Sequence, residues 1–371
     1  MRQTVQFPYY AKLALTLFIV IAITAILYIG QSVIIPLLMA LLFAILLRPV
    51  ANFMQTKMRM PHVLACLLTV ILFVFFFAVI FYFISVQIID MANDWNTMKA
   101  NLMQHYHNLQ EYVRDNFDLN KADQAKLIEK ATDGSLDSGK QIVGTTLMSF
   151  SDTMMNMILV QVYIFLILLY RTHFIKFLCK LFDSKHHEKL QEILGTIKVS
   201  VQSYIIGLLI EFVIVSVLTA VGLMIIGVKY AILLGVITGL LNLIPYIGIL
   251  IAGVLTIVAS LTGTADTSII VGIIVVNVVV QLIDNNLLVP MIVSSKVEIN
   301  ALASIVGIII GGMLGGISGM FLAIPIMAII KVIFDRIDAV EPWGYLLGDD
   351  LPRSFQWRKK RKPKPVDNPE V

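Results

Sequence analysis

The chain has 371 residues, 58% of them hydrophobic and only 14% charged, with a mean hydropathy of +0.87. A soluble domain carries about 25% charged residues, so the composition excludes a water-soluble globular protein and predicts a polytopic membrane protein. The net charge of +4 informs only through its distribution, and the two distant cysteines, Cys66 and Cys179, offer neither a disulfide framework nor metal-ligand spacing.

In chain order, apolar runs lie at 13–30, 33–47, 63–89, 154–170, 205–228, 230–262, 268–293 and 301–333. Each approaches or exceeds the roughly 20 residues that span a bilayer. The opening run is too long for the apolar core of a cleaved signal peptide, and a second run follows almost at once. Basic residues bias cytoplasmic loops. The 48–62 loop holds Arg48, Lys57 and Arg59 with no acid. The 171–200 loop holds Arg171, Lys176, Lys180, Lys185, Lys189 and Lys198 against Asp183, Glu188 and Glu192. Segment 90–149 instead has nine acids against six bases, a net charge of −3. This pattern predicts both termini in the cytoplasm and 90–149 outside, as a small helical insertion. Its stripe Met91, Trp95, Met98, Leu102, Leu109, Val113 and Phe117 has amphipathic helical spacing. The basic tail beyond Glu341 is expected near anionic lipid headgroups.

Runs 230–262 and 301–333 are 33 residues each. As unbroken helices they would be about 50 Å long, against a hydrocarbon core of about 30 Å. Pro245 and Gly248 interrupt the first; Gly311, Gly312, Gly315, Gly316 and Gly319 interrupt the second. Each run is either one long kinked span or a re-entrant hairpin. Length favours hairpins, and sequence leaves both arrangements open.

The candidate site lies in two segments. In Asn242–Gly248 (NLIPYIG), Pro245 removes a backbone donor and Gly248 permits close approach, while Asn242 and Tyr246 add polar tips. Broken membrane helices can present freed carbonyls to ions, although a plain proline kink has the same signature. In Gln281–Pro290 (QLIDNNLLVP), helical spacing places Asn277, Gln281, Asp284 and Asn285 on one face of an otherwise aliphatic helix, with Asn286 and Pro290 beyond. Amides alone would suit interhelical hydrogen bonding. An intramembrane acid suggests a cation or proton site. Glu211 is a second intramembrane acid, either a coupling group or one half of an interhelical pair. The five glycines of GGMLGGISG suit close helix packing or a hinge.

Three other patterns carry little. Gly134–Gln141 (GSLDSGKQ) has phosphate-loop spacing but Gln141 where a Ser or Thr belongs, and no preceding strand. His186-His187 lacks companion ligands, and His105 and His107 diverge on a helix.

NLIPYIG, then QLIDNNLLVP, then a Gly-rich run closing on Leu322-Ala323-Ile324-Pro325, resembles the autoinducer-2 exporter family of bacterial membrane proteins. The resemblance covers about residues 10 to 340, including an Arg48-Pro49 step ending the second span and the insertion after the third. Ile249 stands where family members often have Pro. The resemblance implies a permease of about eight membrane segments, with members linked to export of the autoinducer-2 signal and others to sodium or lithium–proton antiport.

The expected fold is an all-α polytopic membrane protein of about eight membrane segments, as eight spans or as six spans plus two re-entrant hairpins. Its parts are three N-terminal helices (1–89), the insertion (90–149), a helix and cytoplasmic loop (150–200), a transport core (201–335) and a basic tail (336–371). The expected function is a secondary transporter of the bacterial inner membrane, not an enzyme, exporting a small solute by alternating access. The alternatives are a monovalent cation–proton antiporter and a non-transporting scaffold. Expected pathway residues are Asn242, Pro245, Tyr246, Gly248, Asn277, Gln281, Asp284, Asn285, Asn286 and Pro290. Gly311, Gly312, Gly315, Gly316, Gly319 and Pro325 are packing or hinge positions, and Glu211 is a candidate coupling acid. Expected partners are a small-molecule or ion substrate, the lipid bilayer and further copies in a homo-oligomer, without nucleic acid. No cofactor or metal is expected.

Overall fold

The computed structural model describes residues 8–94, 96–97, 100–101, 103–104, 138–244, 247–260, 267–293 and 299–349. The stripe in the 90–149 insertion and the basic tail beyond Asp349 fall largely outside these residues, as do Pro245 and Tyr246. The described residues are almost wholly helical. Helices α1 (Tyr9–Ile29) and α2 (Gln31–Thr56) are separated only by Gly30, and α3 spans His62–Asn93. Helix α4 (Ser138–Leu181) is followed by a short 3₁₀ turn and α5 (His187–Ile225). Then come α6 (Ala231–Asn242), α7 (Ile247–Ser260), α8 (Thr267–Ile283), a π-helical segment (Asp284–Val293), α9 (Ala301–Phe334) and α10 (Glu341–Leu347). Among the described residues, seven helices are long and apolar enough to cross a bilayer. The chain is a polytopic membrane protein.

Helices outrun the apolar runs. The basic 171–200 stretch is no irregular loop: α4 continues to Leu181 and α5 begins at His187. Lys, Glu and Leu are good helix formers, so charge ends the membrane segment without ending the helix. Likewise the Arg48-Pro49 step does not end the second helix, because α2 runs through Pro49 to Thr56. Pro49 has no N–H to give the carbonyl four residues back. That carbonyl, on Ile45, instead accepts from Gln202 Nε2 of α5 at 2.7 Å.

Helix α9 is a hairpin, although its hydrogen bonding reads as one element. Gly315 (φ −145°, ψ 17°) and Gly316 (φ 56°) leave helical geometry at its middle. A positive φ of this kind favours glycine. The two arms then lie so close that a Cβ on Gly319 would strike the Gly311 carbonyl, and one on Gly307 would strike the Met327 thioether. Both ends of the hairpin therefore return to one side. There Asn300 caps α9 by accepting from Ala303 N–H at 2.8 Å. The Asn300 amide also donates to the Leu346 carbonyl of α10 and to the Gly348 carbonyl just past it, at 2.7 and 3.0 Å.

The first 33-residue run also folds back. α6 ends at Asn242, α7 begins at Ile247, and the two helices pack on each other. Gly248 sits so tightly on the Leu241 backbone that no side chain fits there.

Helix α5 is central, packing against α2, α6, α8, the π-helical segment and α9. Gly235 and Gly239, four apart on α6, bring its backbone against Ser216 and Phe212 of α5. Small residues at this spacing permit such approach. A separate apolar core joins α2, α3 and α4 through Ala40, Ala44, Cys66, Val70, Ile164 and Leu168.

Candidate functional site

Three polar side chains from three elements meet inside the helices. Glu211 lies mid-way along α5, Asn242 is the last residue of α6, and Asp284 opens the π-helical segment. All three are buried, with 5%, 8% and 3% of their surface exposed. The Asn242 amide nitrogen donates to Glu211 Oε1 at 2.7 Å and to Asp284 Oδ2 at 3.2 Å. The two carboxyl groups are also close enough to interact directly. Among the described residues no Lys, Arg or His pairs with either acid.

Each element supplies its residue for a local reason. α6 stops at Asn242, which leaves the amide at the helix end, free to bridge. The glycine contacts on α5 draw that end onto the Glu211 face. At Asp284 the α8 helix widens into π geometry, a feature frequent at functional sites. Two atoms here lack partners: Asp284 Oδ1 and Gln281 Nε2, three residues apart on one face, are buried without a hydrogen bond. An unmade buried hydrogen bond costs about 1–3 kcal/mol. An acceptor and a donor left open three residues apart on one helix are groups that water, a cation or a substrate group can satisfy.

The expected residues divide on this geometry. Asn242, Glu211 and Asp284 come together, with Gln281 beside them. Gly248 is buried at the break, and Asn277 is half-buried on α8. Asn285, Asn286 and Pro290 are exposed, and Asn286 Nδ2 donates to its own helix at the Leu282 carbonyl at 2.8 Å. Asn285 directly follows Asp284, about 100° around the helix, and it falls on the exposed side although its four-residue spacing from Gln281 suggested the polar face. The glycines act at the hairpin: Gly311 meets Gly319, Gly312 meets Met320, Gly315 meets Ile35 of α2, and Gly316 supplies the turn. Pro325 is fully buried in the second arm.

Sequence reasoning passed over several residues. Gly235 and Gly239 form a small-xxx-small pair that was legible as such. Tyr204, buried two turns before Glu211, lies near enough to feel its charge. Thr219 and Thr238 are buried hydroxyls without partners, whereas Thr69 and Thr256 bond their own helix at 2.7 Å.

Comparison with known proteins places the chain in a family. Residues 17–339 match the model of the AI-2E family transporter. The chain belongs to that family. It is 25% identical over 321 residues to YueF of Bacillus subtilis, named as a candidate transport protein, covering 81% of this chain and 83% of that one. A similarly named Haemophilus influenzae protein is 28% identical over 342 residues, covering 89% and 94%. The candidate permease PerM of Escherichia coli K12 aligns over a shorter stretch, 133 residues at 28% identity, or 36% and 38% of the two chains. The family is one of membrane transporters. Its match begins within α1 and ends just beyond α9, so it includes both hairpins and the carboxyl cluster.

Proposed function

We propose that the protein is a secondary transporter of the bacterial inner membrane that exports a small solute by ion-coupled alternating access, with Glu211, Asn242 and Asp284 as the coupling site. The observation that carries this reading is the pair of buried carboxyl groups joined through one amide nitrogen. Two ionised carboxylates side by side in a low dielectric repel strongly. A proton or a monovalent cation between them relieves the repulsion, and its arrival or departure changes what Asn242 can bond. Asn242 ends one arm of the α6–α7 hairpin, so occupancy of the site bears directly on that element. Pro245 and Tyr246 stay candidates from their place in the sequence between α6 and α7, and Gln281 would meet the solute. The reading makes no use of Asn285, Asn286 or Pro290.

The family's description points to autoinducer-2 as the first solute to test. The same carboxyl pair favours a second reading, a sodium or lithium–proton antiporter, since two acids can exchange a bound cation for a proton. Purified protein in proteoliposomes separates the two. Flux of autoinducer-2 that falls to background in Asp284→Asn supports export, and sodium- or lithium-dependent proton movement lost in the same variant supports antiport. A folded protein that moves neither contradicts both and leaves a scaffold.

A further inference from the structure

A second polar feature lies outside the carboxyl cluster, where α2, α3 and α4 converge. Ala40 and Ala44 of α2 pack against Ile164 and Leu168 of α4. One turn beyond Ala44 on α2 is Arg48, and three residues beyond Leu168 on α4 is Arg171. Both guanidinium groups therefore stand at the same end of one packed face, close enough to repel each other. α3 reaches the same place, with His62 Nε2 3.2 Å from the Leu169 carbonyl. Arg48 Nε is shielded from solvent and has no hydrogen-bond partner. Among the described residues neither arginine makes an ion pair.

Nothing nearby along these helices can neutralise them. The sequence from 31 to 89 holds no Asp or Glu, nor does 153 to 182, while Lys57 and Arg59 follow directly after α2. Two half-buried guanidinium groups at one end of a packed face, with ten N–H donors between them on general grounds, suit an anion. Planar guanidinium forks match phosphate oxygens. The flanks narrow the choice: Val63 and Leu67 on α3 and Phe174 on α4 are exposed apolar side chains bordering this end. They offer acyl chains a surface that a soluble phosphate would not use.

We propose that Arg48 and Arg171 form a binding site for the headgroup phosphate of an anionic phospholipid, whose acyl chains lie along the apolar flanks of α3 and α4. The lipid acts as the missing counter-charge between α2 and α4. Basic pockets between membrane helices take such headgroups.

The test is a titration of the detergent-purified full chain with phosphatidylglycerol, read by native mass spectrometry as retained lipid. Phosphatidylcholine and inorganic phosphate serve as the comparison ligands. Phosphatidylglycerol is expected to be retained in preference to phosphatidylcholine and not displaced by inorganic phosphate. Arg48→Gln and Arg171→Gln are each expected to weaken retention about tenfold, while Lys176→Gln, an equal charge change on the exposed surface of α4, leaves it unaltered. Gel filtration identifies any variant that fails to fold, in which case the other arginine variant decides. Equal retention across all variants overturns the proposal, as does displacement by inorganic phosphate, which would make this a soluble-anion site. The readout is binding rather than flux, so it stands or falls independently of the coupling site.

Discussion

At the scale of single residues, the backbone contacts make sharp demands. A methyl group on Gly319 would enter the Gly311 carbonyl of the opposing arm, whereas one on Gly253 of α7 meets open space. Overpacking costs about 1–3 kcal/mol, and replacing a helical glycine gains up to about 1 kcal/mol. Gly319→Ala is therefore expected to lower the detergent melting temperature, and Gly253→Ala to leave it level or raise it. Equal effects would contradict the close arm contact. Gln202→Leu carries a related prediction. It strips the donor from the Ile45 carbonyl that Pro49 frees, and should cost about 1–3 kcal/mol, read as an earlier denaturation midpoint than wild type. An unchanged midpoint would mean that water replaces Gln202 there.

At the scale of elements, the hairpins and the ties between helices are the testable features. Cysteines at Gly307 and Met327, in a background lacking Cys66 and Cys179, should cross-link with a short bifunctional reagent. In one straight helix these positions would stand about 30 Å apart, so absence of cross-linking would contradict the hairpin. The turn between α5 and α6 is held to the end of α3 by Asp94. Its carboxylate accepts from Lys229 and, at 2.6 Å, from the Tyr230 hydroxyl. The Lys229 hydrogen bond, with that of Tyr230, holds the Asp94 carboxyl below its ordinary value, and Asp94 holds the Lys229 ammonium above its own. The Asp94 contribution is thus complete above the ordinary Asp value of about 3.9 and fades as pH falls through the lowered one. The Lys229 contribution is complete below the ordinary Lys value of about 10.4 and fades as pH rises through the raised one. Asp94→Asn should flatten the acid limb of a stability-versus-pH curve. An acid limb identical to wild type would show that this tie does not contribute.

Much of this element-scale structure was legible in the chain. Two apolar runs too long for one crossing and broken in the middle left a kinked span and a fold-back both open, with length favouring the fold-back. The described residues fold back in both, with α6 ending at Asn242 and the second turn at Gly315-Gly316. What escaped the reading did so for physical reasons. Charge marks where a membrane segment ends but not where a helix ends, so α4 and α5 extend through the basic stretch. A four-residue spacing groups Asn277, Gln281 and Asn285, but it does not tell which part of that polar stripe meets other helices, and Asn285 is exposed. Glu211 and Asp284 are 73 positions apart, and only the approach of α6 through Gly235 and Gly239 shows that one amide joins them.

At the scale of the whole molecule, α5 is the axis on which the parts depend. Its middle carries Glu211, and one face receives the α6–α7 hairpin. Its first turns are tied to the chain beyond α9, where Arg336 Nε meets Glu192 Oε1 at 3.1 Å and Lys189 meets Asp338 at 3.5 Å. At the other end, an apolar cluster of Leu223, Val228, Ala231, Leu234, Ala259 and Ile273 closes α5, α6, α7 and α8 together. The carboxyl cluster lies between these two closures, where a coupling site must be if access alternates between sides. The most direct measurement is flux in proteoliposomes under an imposed proton or sodium gradient, for wild type, Asp284→Asn and Glu211→Gln. The account predicts gradient-driven flux in wild type and loss of that gradient dependence in each variant, with all three proteins folded. Gradient-driven flux at the wild-type rate in both variants would contradict a coupling role for the carboxyl pair.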